Sequence, residues 1–380
     1  MSGTHSILAP SAMAITMQCA ASPRMRQPYM NQPGTPESME GDAAHWLACE
    51  VAMGRTGYAV GMTTPDAVPV TQDMIDGAEL FAEVVGEFAT HETRVSIASV
   101  HPHMFGTPDA DYIEPGTLAV YDYKFGHRFV EVFENWQLLA YARGVVETRL
   151  AGQCPDRIVF TIVQPRAYHK DGPVRTWSCS AAELYAYTVR MHAAAHAAVD
   201  LDGVPKPDAP AQTGPECRDC EARHECTLFQ AVASRLADEA GRTERFNLPA
   251  PQLGAELSYL DEVIDRLKSR RDGLEIQAED HLRHGRAVPG YEMGEGQANE
   301  KWRDDVSVDE VVGFARILHP ALVVCSDVKL LTLTQTRAAL KRRKIDVAAL
   351  DGYAVRNRGA MKLQKSSTIR ARRAFGVQSK

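Results

Sequence analysis

Residues 106–141 read GTPDADYIEPGTLAVYDYKFGHRFVEVFENWQLLAY, and the middle of this stretch decides the fold. In LAVYDYK every second side chain points the same way, so Asp122 and Lys124 share one face of a predicted strand. A Glu-Pro-Gly-Thr link joins this strand to residues 107–113, which predicts an antiparallel hairpin. That pairing brings Asp109 beside Asp122.

Two converging carboxylates, Asp109 and Asp122, offer the oxygen ligands that Mg²⁺ prefers, and the Tyr123 carbonyl is a further candidate ligand. A bound ion lowers the pKa of a water molecule and clamps phosphate oxygens, while Lys124 positions that water or offsets charge developing in the transition state. An edge strand with a solvated Asp–Lys pair also accounts for the tripeptide alone. The surrounding sequence has to distinguish the two interpretations.

Two predicted helices supply that context. PESMEGDAAHWLACEVAMG predicts a helix with His45 near its middle, whose imidazole is a candidate third ligand that makes Mn²⁺ as suitable as Mg²⁺. An ordinary helix histidine is the alternative. ENWQLLAYARGVVETRL predicts a second helix with Gln137 and Tyr141 on a common face. They are placed to hold DNA or the Lys124 side chain, and a half-exposed polar pair is the alternative.

The remaining pattern is that of an α/β protein. We expect a helix over 72–89, a first strand at 95–100, a central strand in RIVFTIVQP, a further strand in DGPVRTWSCS and a helix in AAELYAYTVRMHAAAHAAV outside the sheet. A long charged helix is predicted over 255–284, and VPGYEMGEG and NEKWR predict a small hairpin. We therefore divide the chain into domains at 1–232 and 233–380, the second mostly helical with a basic tail.

The order His, Asp, Asp-x-Lys, Gln-x-x-x-Tyr resembles the PD-(D/E)XK nuclease superfamily, specifically its RecB-like branch. The chain is similar to phage- and prophage-encoded members, which share an opening like LAPSAMAITMQCAASPR and motifs like GDAAH, DYKFG and IVQPR. The resemblance spans most of the chain and is strongest over 8–230. It implies a three-layer α/β core with a central mixed sheet. The residues it assigns are His45, Asp109 and Asp122 as metal ligands, Lys124 as catalytic, and the Gln137/Tyr141 motif on the next helix.

One position departs from the family pattern. Many relatives place an acidic residue four positions after the histidine, where this chain has Cys49. The neighbouring Glu50 lies about 140° around the helix from His45 and is not counted as a ligand. Cys49 itself is interpreted as a small buried side chain.

Three cysteines cluster in CRDCEARHEC, and Cys19 lies far upstream. No signal peptide or apolar span of membrane length is evident, so we expect a reducing bacterial cytoplasm, where clustered thiolates indicate a metal rather than disulfides. Four thiolates suit a [4Fe–4S] cluster or tetrahedral Zn²⁺, and His224 could replace a cysteine at a zinc site. In iron–sulfur RecB-like nucleases one cysteine precedes the core and three follow it. That resemblance implies a structural [4Fe–4S] clamp on Cys19, Cys217, Cys220 and Cys226.

The net charge of −7 hides an asymmetry, because residues 336–380 contain thirteen Lys or Arg and two acidic residues. Such a segment suits phosphate contacts, although a basic disordered tail or a solvated helix face explains it equally well. No P-loop is present, so any helicase or annealing partner would be another chain. The resemblance implies a divalent-metal-dependent DNA nuclease, an exonuclease acting at DNA ends in phage recombination or replication. The alternative is an inactive DNA-binding accessory or scaffold protein, and self-association stays open.

Overall fold

The computed structural model describes residues 6–30, 35–167, 169, 171–240, 250–295, 300–303, 306–318, 331–342, 344–356 and 361–365. The α-helices, in chain order, are α1 Met13–Gln18, α2 Ser22–Arg26, α3 Pro36–Ala52, α4 Gln72–Val85, α5 Trp136–Arg149, α6 Ala181–Ala198, α7 Thr227–Ala240, α8 Ala250–Arg283, α9 Val308–Leu318 and α10 Leu333–Arg342. The strands are β1 Thr90–His91, β2 Val95–Ser96, β3 Phe105–Gly106, β4 Ala110–Glu114, β5 Thr117–Tyr123, β6 Arg157–Val163, β7 Val174–Ser180, β8 Tyr291–Glu295, β9 Glu300–Trp302, β10 Ala354–Arg356 and β11 Met361–Lys365.

The predicted hairpin is confirmed as β4 and β5, which pair antiparallel with Ala110 opposite Tyr121. Their two-residue connection has Pro115 at the first central position and Gly116, with φ 79°, at the second. This is the chemistry of a type II turn, in which proline presets φ and glycine accepts the left-handed conformation. The turn therefore sets the register that brings the residues before β4 beside the end of β5.

The main sheet is mixed and has the strand order β1-β4-β5-β6-β7. β6 lies parallel to β5 and antiparallel to β7, so the predicted interior position of RIVFTIV is confirmed. The crossover from β5 to β6 passes through α5, as a parallel connection requires. The predicted α/β class with a central mixed sheet is therefore confirmed.

Helices cover both faces of this sheet. On one face, β5 and β6 contribute Leu118, Val120 and Phe160 to a core shared with α5 and α6. On the other face, Tyr123 and Val163 pack with residues of α3 and α4. Alternation along β5 thus sends successive side chains into two different cores, and only the strand's C-terminal end carries polar side chains inward.

Two sequence predictions about strands are wrong. Only β2 forms within 95–100, and it pairs with β3 in a separate two-stranded sheet rather than opening the main sheet. Val95, Ile97 and Val100 are nevertheless buried, because they pack in the core that contains α5. The predicted hairpin between VPGYEMGEG and NEKWR does not form either, since β8 pairs with β11 and β9 pairs with β10.

The chain divides into two compact units, Met1–Arg271 and Asp272–Lys380, and the division falls inside α8. The predicted boundary at 232/233 lies within the first unit and stays a prediction. The second unit has its own small apolar core, to which α9 contributes Val311 and Ala315 and α10 contributes Leu340. Among the helices of the described ranges, none combines the length and apolar character needed to cross a bilayer. Most of the basic segment after residue 356 lies outside the described residues.

Candidate functional site

Asp109, Asp122 and Lys124 meet at the end of the β4–β5 hairpin, as the strand period predicts. Lys124 Nζ donates to Asp122 Oδ1 at 3.0 Å, which confirms that the two side chains share a face. Asp109, in register with Asp122, accepts a hydrogen bond from the Tyr123 backbone N–H at 2.6 Å. The Tyr123 ring instead packs edge-on against Phe81 with the centroids 5.4 Å apart. The role of its carbonyl as a ligand stays a prediction.

Gln137 holds the lysine and the carboxylate together. Its Oε1 accepts from Lys124 Nζ at 3.1 Å, and its Nε2 donates to Asp122 Oδ1 at 3.1 Å. Asn135 caps α5 by accepting from the Gln137 N–H at 3.1 Å, which places Gln137 in the first turn, above the end of β5. Tyr141, one turn later, has its hydroxyl 3.3 Å from Gln137 Nε2 and is buried. The predicted contact of Gln137 with Lys124 is therefore observed, and the predicted DNA-binding role of Gln137 and Tyr141 stays a prediction.

His45 projects from α3 toward the same place. Its Nε2 lies 3.0 Å from Asp109 Oδ1 and 3.4 Å from Glu92 Oε1. Glu92, which the sequence reasoning missed, follows β1 in a left-handed conformation with φ 47°, and its N–H lies 3.4 Å from the Asp109 carbonyl. From this conformation its carboxylate reaches His45 and Cys49, and no periodic pattern in the sequence signals it.

Cys49 is buried, as predicted, and it also contacts polar members of this cluster. Its Sγ donates to Glu92 Oε1 at 3.4 Å and lies 3.7 Å from His45 Nε2. Glu50 faces elsewhere: it accepts hydrogen bonds from Arg55 and from Tyr58, the latter at 2.8 Å, which confirms that it lies outside the cluster.

The electrostatics of the cluster are dominated by buried carboxylates. Burial and the neighbouring Asp109 raise the pKa of Asp122 to about 6, although Lys124 opposes this shift. Burial also opposes ionisation of Asp109, but His45 and Lys124 outweigh it and hold its pKa below the usual value. Burial disfavours the Lys124 ammonium, yet the two aspartates raise its pKa, so it stays charged. Asp109 raises the pKa of His45 well above its ordinary value.

The side chains of this cluster differ in their exposure to solvent. The Asp122 and Asp109 side chains are 2% and 9% exposed, whereas those of Lys124, His45 and Glu92 are 29%, 35% and 40% exposed. The carboxylates that line the floor are therefore shielded from water while the rim is open. A ligand entering from solvent meets the rim residues first.

The four predicted cysteines come together in a second place. Cys19, Cys217, Cys220 and Cys226 all line one small cavity, together with apolar groups such as Phe229. Several contacts join the N-terminal helices to the cysteine segment. Among them, the Ala21 N–H donates to the Pro210 carbonyl, and the Glu216 N–H donates to Gln18 Oε1. His224 does not line the cavity, and its ring packs against Tyr29.

Backbone amides point at the sulfur atoms of this cavity. N–H groups lie 3.4 to 3.5 Å from three of the sulfurs: Gln212 N to Cys19, Gly214 N to Cys217, and Phe229 N to Cys226. Among the described residues, no three of the four sulfurs lie within 4.8 Å of one another. The sulfurs therefore surround a space rather than converge on a point.

The fold defined by these elements is an α/β core with a five-stranded mixed sheet. Residues 5–371 match the family described as "Protein of unknown function (DUF2800)", and the chain belongs to that family. Among solved structures, the chain is similar to the crystal structure of SSO0001 at 11% identity and a TM-score of 0.31, over 60% of this chain and 88% of that chain. A likeness at this level does not define a shared fold. No curated protein shows significant similarity to the sequence.

Proposed function

We propose that this chain is a divalent-metal-dependent deoxyribonuclease of the PD-(D/E)XK type, similar to the RecB-like branch. The observation that carries the proposal is the Lys124 ammonium 3.0 Å from Asp122, at the end of a hairpin that also presents Asp109 to His45. A partly buried lysine beside two buried carboxylates is costly to maintain, and such costs concentrate at functional sites.

The donor set fits Mg²⁺ or Mn²⁺. Asp109, Asp122 and Glu92 supply three carboxylates, and Lys124 supplies one compensating positive charge when His45 is a neutral ligand. The remaining excess of negative charge in a largely buried site is what a divalent cation offsets. Hard oxygen ligands favour Mg²⁺, and the imidazole nitrogen makes Mn²⁺ equally suitable. When bound, such an ion supplies an activated water and charge compensation for the phosphate oxygens.

The chain's own residues then have distinct roles. Lys124, held by Asp122 and Gln137, donates a hydrogen bond toward the attacking water or the phosphate oxygen that gains charge. Gln137 accepts from the ammonium and donates to the carboxylate, and an amide is the neutral group that can do both. Tyr141 supports the amide of Gln137 from the following turn. Asp109 and Asp122, fixed by strand register, would hold the ion.

The decisive experiment is hydrolysis of end-labelled linear DNA by the purified chain in Mg²⁺ and in Mn²⁺. We expect Lys124→Ala to abolish hydrolysis while its circular dichroism spectrum stays that of wild type. Lys268→Ala is the matched control, because Lys268 is an exposed lysine on α8 that pairs loosely with Asp265 at 3.6 Å. A wild-type protein that leaves linear, circular, single- and double-stranded DNA intact in both metals would support the inactive accessory or scaffold alternative.

We further propose that Cys19, Cys217, Cys220 and Cys226 hold a [4Fe–4S] cluster that ties the two ends of the nuclease domain together. Tetrahedral zinc at about 2.3 Å from each sulfur holds the sulfurs only about 3.8 Å apart. The described sulfurs are more widely spread, which favours a cluster over a single ion. The amide N–H groups aimed at the sulfurs would donate hydrogen bonds to the thiolates and stabilise their charge.

This cofactor is tested by its colour and iron content. Protein purified without oxygen should be brown and contain iron and sulfide, and Cys220→Ser should lose both. Cys154→Ser, a change outside the cavity, should keep them. A colourless protein with one zinc per chain would overturn the cluster while leaving the nuclease proposal intact.

The substrate proposal is an end-directed exonuclease of phage recombination or replication, in which a helicase or annealing protein would be a separate partner chain. End-labelled DNA of both polarities reads out the direction directly. Equal cleavage of closed circular and linear DNA would contradict the requirement for an end.

A further inference from the structure

His45, Cys49 and Glu92 form a group of three different donor atoms around one point. His45 and Cys49 lie one turn apart on α3, so their side chains leave the same face of the helix. Glu92 faces them from the turn after β1. His45 Nε2, Cys49 Sγ and Glu92 Oε1 all lie within 4.8 Å of one another.

The distances within this group match those expected for a tetrahedral ion. Bond lengths of about 2.3 Å to sulfur and about 2.0–2.2 Å to nitrogen and oxygen place the donors about 3.6 Å apart for S–N and S–O and about 3.4 Å apart for N–O. The observed separations are 3.7 Å between Cys49 and His45, 3.4 Å between Cys49 and Glu92, and 3.4 Å between His45 and Glu92. Each lies within about 0.2 Å of its expected value.

We propose that His45, Cys49 and Glu92 form a binding site for a thiophilic divalent ion such as Zn²⁺ or Co²⁺. Asp109 Oδ1 lies 3.0 Å from His45 Nε2, beside the group, and Asp109 or a water molecule would complete the coordination. A thiolate, an imidazole and a carboxylate form a donor set that zinc prefers over magnesium, because sulfur is a soft ligand. Of the three donors, Cys49 has no part in the magnesium site proposed above, whereas His45 and Glu92 are shared with it.

Access to the site favours exchange with solvent. The side chains of His45 and Glu92 are 35% and 40% exposed, so an ion can approach from the open rim. Cys49 is buried at the base of the group. A cation binds cysteine as the thiolate, so the thiol proton is released as the ion binds.

Occupation of this site has a consequence for catalysis, and this consequence rests on the proposed nuclease function. His45 cannot ligate two ions through the same nitrogen. Zn²⁺ bound with Cys49 and Glu92 would therefore remove His45 from the magnesium site and inhibit hydrolysis. Cys49→Ser should then make Mg²⁺-dependent activity less sensitive to Zn²⁺.

Cobalt binding tests the site without reference to nuclease activity. Co²⁺ is titrated into wild type and variants, and bound ions are counted from the thiolate-to-cobalt charge-transfer absorption. We expect Cys49→Ser to bind one Co²⁺ fewer than wild type. Cys154→Ser, which changes a cysteine outside both clusters, and Asp122→Asn, which removes a magnesium ligand, should both keep the full number.

The comparison isolates this site because the four-cysteine cavity is unchanged in every one of these proteins. Equal Co²⁺ binding by wild type and Cys49→Ser would overturn the proposal. If Cys49→Ser does not fold, Glu92→Gln decides, since loss of one Co²⁺ supports the site and unchanged binding contradicts it. DNA hydrolysis that fails while cobalt still binds would remove the nuclease function and leave the metal site.

Discussion

Gln137 either positions the Lys124 ammonium for catalysis or binds DNA, and replacing it with methionine separates these two roles. Methionine has a similar volume but makes neither the 3.1 Å bond to Lys124 nor the 3.1 Å bond to Asp122. Each hydrogen bond to a charged group contributes about 1.5–3 kcal/mol. If one such bond orients Lys124 in the transition state, its loss raises the barrier by that amount and lowers kcat about 10- to 150-fold.

The assay is hydrolysis of end-labelled linear DNA at saturating Mg²⁺, with kcat and KM determined separately. Because Lys124 and Asp122 keep each other as partners, we expect the free energy of unfolding to fall by only about 1–3 kcal/mol. Gln72→Met is the matched control, since Gln72 also donates to a carboxylate, Asp76 at 2.7 Å, but on the exposed surface of α4. An unchanged kcat with a raised KM would refute the positioning role and assign Gln137 to DNA binding instead.

Two further predictions concern stability. Gly144→Ala places a methyl group 2.5 Å from Val95 Cγ2, so overpacking should outweigh the gain in helix propensity and lower the free energy of unfolding in urea by about 1–2 kcal/mol. In the control Gly126→Ala the new methyl group has no atom within 4 Å, and the free energy of unfolding should change by less than about 0.5 kcal/mol. Equal effects of the two substitutions would contradict the packing at Gly144. His101 is buried, with Nε2 2.9 Å from the Asp200 carbonyl, and burial with nearby histidines lowers its pKa. As pH falls, the unfolded chain therefore protonates His101 before the folded chain does, and the free energy of unfolding should fall below about pH 6.5. In urea melts, His101→Gln should lose less of its free energy of unfolding between pH 7.5 and 5.5 than wild type. An identical pH dependence in the two proteins would show that His101 does not contribute.

The hairpin could be predicted from sequence because its signals are local. Pro115 and Gly116 specify the turn, and alternation along β5 specifies which side chains share a face, so the meeting of Asp109, Asp122 and Lys124 follows from register alone. The prediction of a main-sheet strand at 95–100 is wrong because no local signal specifies its pairing. Its apolar residues satisfy burial against α5, and burial by itself does not determine which strand, if any, a segment pairs with.

The rest of the cluster depends on contacts between segments far apart in sequence. His45 was predicted from resemblance, since nothing in its own helix distinguishes it from an ordinary surface histidine. Glu92 was missed because its position follows from one left-handed residue after a two-residue strand. Cys49 is interpreted from its residue type, and the approach of Glu92 adds a polar partner that its own helix does not supply.

The central claim is that the aspartates hold a divalent ion beside Lys124. Mn²⁺ binding tests it most directly and is measured by the loss of the free-ion signal in electron paramagnetic resonance. The account predicts that wild type binds Mn²⁺ at this site, that Asp122→Asn loses it, and that Cys49→Ser and Gln72→Met keep it. A wild-type chain that binds no Mn²⁺, or an Asp122→Asn variant that binds it as tightly as wild type, would contradict the account.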